Sequence, residues 1–159
     1  LERIDMSNET PDQYEICATW LAGEPARLAN DSSSPYRLIL SKGIPTEAGV
    51  YCFQTDNEYY VGETKNLQKR LNQYANAGMV DHPVKEYTNR TIQRKIYEAL
   101  KSNKSVKLSY CVSAVIVCNG KTFKTLDFKE KYHRTLVESL KVSTRPDEQK
   151  SWNKQHQKS

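Results

Sequence analysis

The chain has 159 residues, 37% hydrophobic and 27% charged, enough for one domain, or a domain with an extension, around a single modest core. Its formal net charge of +5 is unevenly spread: residues 1–48 hold 4 Lys and Arg against 8 Asp and Glu, and residues 49–159 hold 20 against 11. No run approaches the ~18 apolar residues of a membrane span and no basic-apolar-small leader is expected, while the basic part points to a polyanion such as nucleic acid, or to a solvated lysine-rich surface.

In chain order, residues 1–11 are polar and expected to be disordered, and a chain opening on Leu1 is expected of a processed or excised piece. The stretch "DQYEICATWLAG" (12–23) predicts a short helix, with Tyr14, Cys17, Ala18 and Leu21 along one stripe and Gly23 as its stop. "NDSSSP" (30–35) reads as a linker, and "YRLIL" (36–40) as an extra strand or as the lead-in to the core domain. That domain is placed at 45–159, after an acidic extension over 1–44. Within it, "GVYCFQT" and "EYYVG" are strand-like runs around a two-residue turn, Asp56-Asn57. Asn66 is the expected N-cap of a helix running to about Ala77 and closed by Gly78. "RTIQRKIYEALKS" (90–102) predicts a second helix, and "VKLSYCVSAVIVC" (106–118) a third strand closed by Asn119-Gly120. "LDFKEKYHRTLVESLKV" (126–142) predicts a third helix, before a tail containing Pro146. The order β-β-α-α-β-α implies a small α+β domain with a three-stranded, mostly antiparallel sheet flanked by helices.

Cys17, Cys52, Cys111 and Cys118 show no C-x-x-C spacing and lie far in sequence from His82, His133 and His156, so no zinc site is expected. Three of the cysteines fall in strand-like segments, where free cysteine acts as a small hydrophobe. They read as reduced residues of an intracellular, cytoplasmic protein. His82 and His133 read as surface histidines, His82 in a loop able to approach the site.

The hairpin carries the first chemical pattern. With Asp56 and Asn57 as turn residues, Tyr51 faces Gly62 and Phe53 faces Tyr60, so Tyr51 and Tyr60 share one side as diagonal neighbours. Gly62 leaves space beside the Tyr51 ring, and Val50, Cys52, Tyr59 and Val61 line the other side. Two such tyrosines make either an aromatic packing pair or part of a site. From the Asn66 cap, Leu67, Arg70, Leu71 and Tyr74 share one helix face. An arginine there either snorkels at the stripe's edge or turns its charge toward a cleft. In the second helix Arg90, Arg94, Tyr97 and Lys101 cluster opposite Ile92, Ile96, Ala99 and Leu100, a basic face suited to backbone phosphates or simply to water.

"GVY", eight residues, "YVG" and then "ETKNLQKRL", with Arg70 ten residues after Tyr60, resembles the GIY-YIG nuclease family. The ending "WNKQHQKS" is similar to that of phage and restriction members of the family. The resemblance covers roughly residues 45–157 and implies a DNA endonuclease, of restriction or phage type, that leaves 5′-phosphate and 3′-hydroxyl ends on double-stranded DNA. It implies Tyr51 as general base, Tyr60 as the group that orients the nucleophile, Arg70 on the phosphate and Tyr74 beside it. Glu138, in "LVESLKV", is implied as ligand of one divalent ion, Mg²⁺ or Mn²⁺. On the helical wheel Glu138 lies off the stripe of Tyr132, Leu136 and Leu140; only the resemblance selects it over Glu130. Lys65 and Lys69 are phosphate contacts or solvent-facing lysines, and Asn153 of "WN" is a further expected DNA contact, as are Arg90, Arg94 and Lys101. A homodimer or higher homo-oligomer would suit a palindromic target. The alternative reading is a nucleic-acid-binding module of this fold without catalysis.

Overall fold

A computed structural model describes residues 11–29, 36–40, 42–77 and 87–153. The first ten residues, the "NDSSSP" linker, Gly78 and His82 lie outside the described residues. The expected hairpin forms the centre of the structure. Strands β4 (Gly49–Gln54) and β5 (Glu58–Thr64) pair antiparallel with Tyr51 opposite Gly62 and Phe53 opposite Tyr60, the register read from the two-residue turn. The Thr55 hydroxyl closes that turn by accepting the Glu58 amide at 3.0 Å.

Around the hairpin the sheet is wider than the three strands expected. Strand β6 (Lys107–Cys118) lies against β4, and the order is β1-β6-β4-β5-β8, with β7 (Lys121–Thr125) also paired to β6. Strand β1 (Tyr14–Ala22) is the segment predicted as a helix. It runs antiparallel to β6, with Ile16 opposite Ile116 and Ala18 opposite Ala114. Ile16, Ala18 and Trp20 alternate onto the half-buried side while Glu15, Cys17 and Thr19 are exposed. The period of two wins over the helical stripe because β6 offers a ladder and an apolar face that a lone helix lacks. Asn119 and Gly120, at φ of 51° and 81°, form the tight turn into β7. Strand β8 (Lys150–Ser151) runs parallel beside the start of β5, and two short strands, β2 (Arg27–Leu28) and β3 (Leu38–Ile39), make a separate ribbon.

Two cores lie on the two sides of the sheet. One joins Tyr51, Phe53 and Tyr60 to Leu67, Leu71 and Tyr74 of helix α1 (Leu67–Asn76) and to Ile92 and Ile96 of helix α2 (Tyr87–Lys101). Asn66 caps α1 by accepting the Lys69 amide at 3.0 Å, an interaction worth about 1 kcal/mol. The other core joins Val50, Cys52, Tyr59, Val61 and Cys111 to Leu126, Phe128 and Val137, the last from helix α3 (Lys131–Ser143). Tyr59 thus takes the packing role that strand parity gave it.

Helix α3 turns the other way from its expected stripe. Tyr132 and Leu136 are exposed, whereas His133, Arg134 and Val137 are buried. His133 is therefore not a surface histidine: its Nδ1 accepts the Asp127 amide at 2.9 Å and closes the turn that leads into the helix. Arg134 can sit inside because Glu63 and two carbonyls take its N–H groups. All four cysteines are free thiols; Cys52 and Cys111 are buried, and Cys17 is exposed. Among the described residues, no helix is long and apolar enough to cross a membrane, and no group of three or more His, Cys, Asp or Glu could hold a metal ion.

Candidate active site

Tyr51 from β4, Tyr60 from β5 and Tyr74 from α1 meet at their hydroxyls. The Tyr51 and Tyr74 oxygens stand 2.7 Å apart, and the Tyr74 hydroxyl donates to that of Tyr60 at 3.3 Å. Tyr51 and Tyr74 are almost fully buried, and Tyr60 retains 8% of its surface. Three hydroxyls can satisfy one another in a chain because each both donates and accepts. Burial pushes all three phenols above the ordinary tyrosine value, and Arg70 pulls them partly back. Gly62 is required beside them, since a Cβ there would stand 2.3 Å from the Tyr51 oxygen.

Arg70 reaches the same place from the half-buried edge of α1. Its guanidinium stands 5.2 Å from the centre of the Tyr74 ring, and Nη1 makes a long contact of 3.4 Å to Gln73. Nε is buried with no hydrogen-bond partner among the described residues. A buried N–H of a permanent cation left in this condition could be matched by an anion, and the planar fork of arginine suits phosphate oxygens.

A cleft of about 290 Å³ opens along the edge of β5 and is lined by Tyr51, Tyr60, Gly62, Glu63, Arg70 and Glu138, with Lys131, Thr135 and Asn153 at its margin. Glu138 comes from α3, on the other side of the sheet, and meets the tyrosines over the end of β5. Its helical-wheel position made it look solvated, but α3 packs so that it is half-buried. Desolvation, reinforced by the charge of Glu63 and opposed by Lys131, pushes its carboxyl up to about 7. The competitor Glu130 stands exposed at the N-cap of α3. An oxygen ligand whose negative charge is poorly compensated, in a solvent-open cleft, fits a hard divalent cation that keeps most of its shell for water and phosphate.

The expected nucleic-acid contacts fall in different places. Lys65 and Lys69 are exposed and line, with Arg70, Gln73 and Lys131, a neighbouring groove of about 580 Å³. Lys131 belongs to both clefts and was missed in the sequence, where it is one lysine in a charged run. Asn153 uses its side-chain amide on β5: Oδ1 accepts from the Val61 amide at 3.2 Å and Nδ2 donates to the Val61 carbonyl at 3.0 Å. On α2, Arg90 is half-buried and Lys101 exposed, but the Arg94 guanidinium lies 3.4 Å over the ring of Tyr36. Tyr36 is also edge-on to Tyr97 at 4.9 Å. The expected basic face is thus partly covered, with Arg94 stacked on Tyr36. A further cleft, about 740 Å³ around Arg145 and Trp152, holds none of the three clustered tyrosines.

Residues 32–110 match the family model of the GIY-YIG catalytic domain. The match takes in the hairpin, α1 and α2, and stops before α3, so it does not extend to Glu138. No curated protein and no solved structure matches the chain.

Proposed function

We propose that this chain is a divalent-metal-dependent endonuclease of the GIY-YIG class that hydrolyses phosphodiester bonds in double-stranded DNA to 5′-phosphate and 3′-hydroxyl ends. The observation that carries the reading is the convergence of Tyr51, Tyr60, Arg70 and Glu138, from four different elements, on one cleft. Arg70 binds the non-bridging oxygens of the scissile phosphate, with its buried Nε–H, which lacks a protein partner among the described residues, as one donor. Tyr51 takes a proton from the attacking water as its own passes to Tyr74, and the excess proton leaves by Tyr60 at the exposed end of the chain. Burial keeps the three phenols neutral at rest, so this relay moves charge without first storing a buried phenolate. Glu138 would hold Mg²⁺ or Mn²⁺, which when bound supplies charge stabilisation to the leaving 3′ oxygen. Gly62 keeps the approach to the Tyr51 oxygen open.

The test is incubation with supercoiled plasmid, with and without Mg²⁺. Metal-dependent nicking or linearisation is expected, with discrete fragments if the enzyme is sequence-specific. Arg70→Ala should lower the rate by roughly 10²–10³, the loss seen when a charge-stabilising donor is removed, while leaving the fold intact. Salt-sensitive binding without any metal-dependent cleavage would replace this reading with the binding module.

The groove of Lys65, Lys69 and Lys131 gives a separate expectation. If flanking phosphates lie along it, each Lys→Ala change should reduce the slope of log affinity against log salt by about one. The measurement is fluorescence anisotropy on a duplex without divalent ions. An unchanged slope for all three would move the DNA elsewhere on the surface.

A further inference from the structure

The most deeply buried charge in the described structure is not used by the mechanism above. Arg134 of α3 has 2% of its side chain exposed, and its Nε donates to Oε2 of Glu63 at 2.5 Å. Its Nη1 donates to the carbonyls of Phe128 at 2.7 Å and Lys129 at 3.2 Å. Glu63 is on β5 next to Gly62, and its side chain, 20% exposed, lines the cleft.

Burying such a pair is costly, and apolar side chains of similar volume in the same place are often as stable or more so. Stability therefore gives no account of why an arginine and a glutamate stand here. Geometry does. The guanidinium joins three segments through directional bonds: the end of β5, the loop that leads into α3, and α3 itself. Glu138 follows Arg134 by one helical turn, at i+4 and on the same side of the helix. The helix is also seated through Val137 and Val142 against the second core and through Lys141 over the Trp20 ring at 4.4 Å, contacts that are far less directional than the bonds of the guanidinium. With Oε2 held by Arg134, the Glu63 carboxylate is committed to this bond.

We infer that Glu63 and Arg134 are positioning residues: the buried ion pair sets the place of Glu138 relative to the Tyr51–Tyr74–Tyr60 chain and Arg70. The inference rests on the nuclease reading, and its test is chosen to separate the two. The decisive variant is the apolar double replacement Glu63→Leu with Arg134→Met. Its melting temperature is expected to equal or exceed that of the parent, and its affinity for uncut duplex without divalent ions to stay within twofold. Its kcat should fall 100-fold or more, with KM within threefold. Glu63→Gln, which keeps an acceptor for the guanidinium, should restore kcat to within tenfold of the parent, whereas Arg134→Lys, which lacks the planar fork, should not.

A double variant that cleaves at the parental rate overturns the inference. One that melts far below the parent also overturns it, because the pair would then be a stability element. If the parent itself never cleaves, the nuclease reading fails, and a second measurement still decides the positioning role. Spin labels at Ser139 on α3 and Asn76 on α1, both exposed, should give one narrow distance in the parent and a shifted or broadened one in the double variant. An unchanged distribution overturns the clamp whatever the nuclease result.

Discussion

At pH 8 the Glu138→Gln variant is expected to be more stable than the parent and unable to cleave. The carboxyl of Glu138 is pushed up to about 7 by desolvation, by the Glu63 charge next, and against the pull of Lys131. In the unfolded chain a glutamate titrates near 4.3. Between those values the folded state holds the proton and the unfolded state does not, so stability falls as pH rises from about 4 to 7 and the cost is complete above 7. Glutamine has the same shape and no charge, and so escapes it. Because the group is half-buried and partly screened by water, we expect ~1–2 kcal/mol rather than the full linkage value, or about 2–8 °C in melting temperature for a chain of this size. The difference should vanish near pH 4, where both side chains are neutral. Thermal melts at pH 4.5 and 8 without divalent ions, set beside plasmid cleavage with Mg²⁺, check both halves. A variant less stable than the parent at pH 8 would mean that Glu138 is already paired in the free protein. A variant that still cleaves would remove Glu138 from the site.

That trade of stability for a poorly compensated carboxylate is invisible in the sequence, where Glu138 lies off the expected apolar stripe of its helix. The error has a specific cause. The buried side of α3 is made by His133, Arg134 and Val137, and two of those count as polar in any hydrophobic period. Arg134 is inside because Glu63, 71 positions earlier, accepts its Nε–H and two loop carbonyls accept from its Nη1. Strand β1 failed for the same kind of reason. Its alternation of Ile16, Ala18 and Trp20 coexists with a helical stripe, and β6, about a hundred residues on, decides between them. On α2 the spacing gave the apolar face, with Ile92 and Ile96 buried, but not Tyr36 lying over Arg94. By contrast the hairpin and α1 were legible, because a two-residue turn, strand parity and an Asn cap are settled within a few residues. Tyr51, Tyr60, Arg70 and Tyr74 all sit on those two local elements. The half of the site that depends on α3 needed the tertiary structure.

Gly62→Ala is the smallest change expected to do the largest damage to the legible half. A Cβ at position 62 would stand 2.3 Å from the Tyr51 oxygen, 2.5 Å from Cζ and 3.0 Å from Cε2. Such contacts are cheap when the struck atom ends a mobile side chain, and Tyr51 is not mobile. It is 1% exposed, its ring packs against Phe53, Tyr60 and Tyr74, and its hydroxyl is held by Tyr74 at 2.7 Å. Forcing one extra methyl into a packed core costs ~1–3 kcal/mol. The same displacement breaks the start of the hydroxyl chain, so cleavage should fall by roughly 10² or more, the loss that a ~1 Å misplacement at the chemistry can cause. A double-mutant cycle separates the two effects. Tyr51→Phe alone strips the Tyr74 hydroxyl of a partner and should destabilise the protein. Combined with Gly62→Ala it removes the first atom struck, so the pair should be less destabilised than the sum of the single changes, while cleavage stays lost. Simple additivity of the two stability changes would show that Gly62 is not reserved for the Tyr51 hydroxyl. Recovery of cleavage in the double variant would show that the hydroxyl is not the proton acceptor.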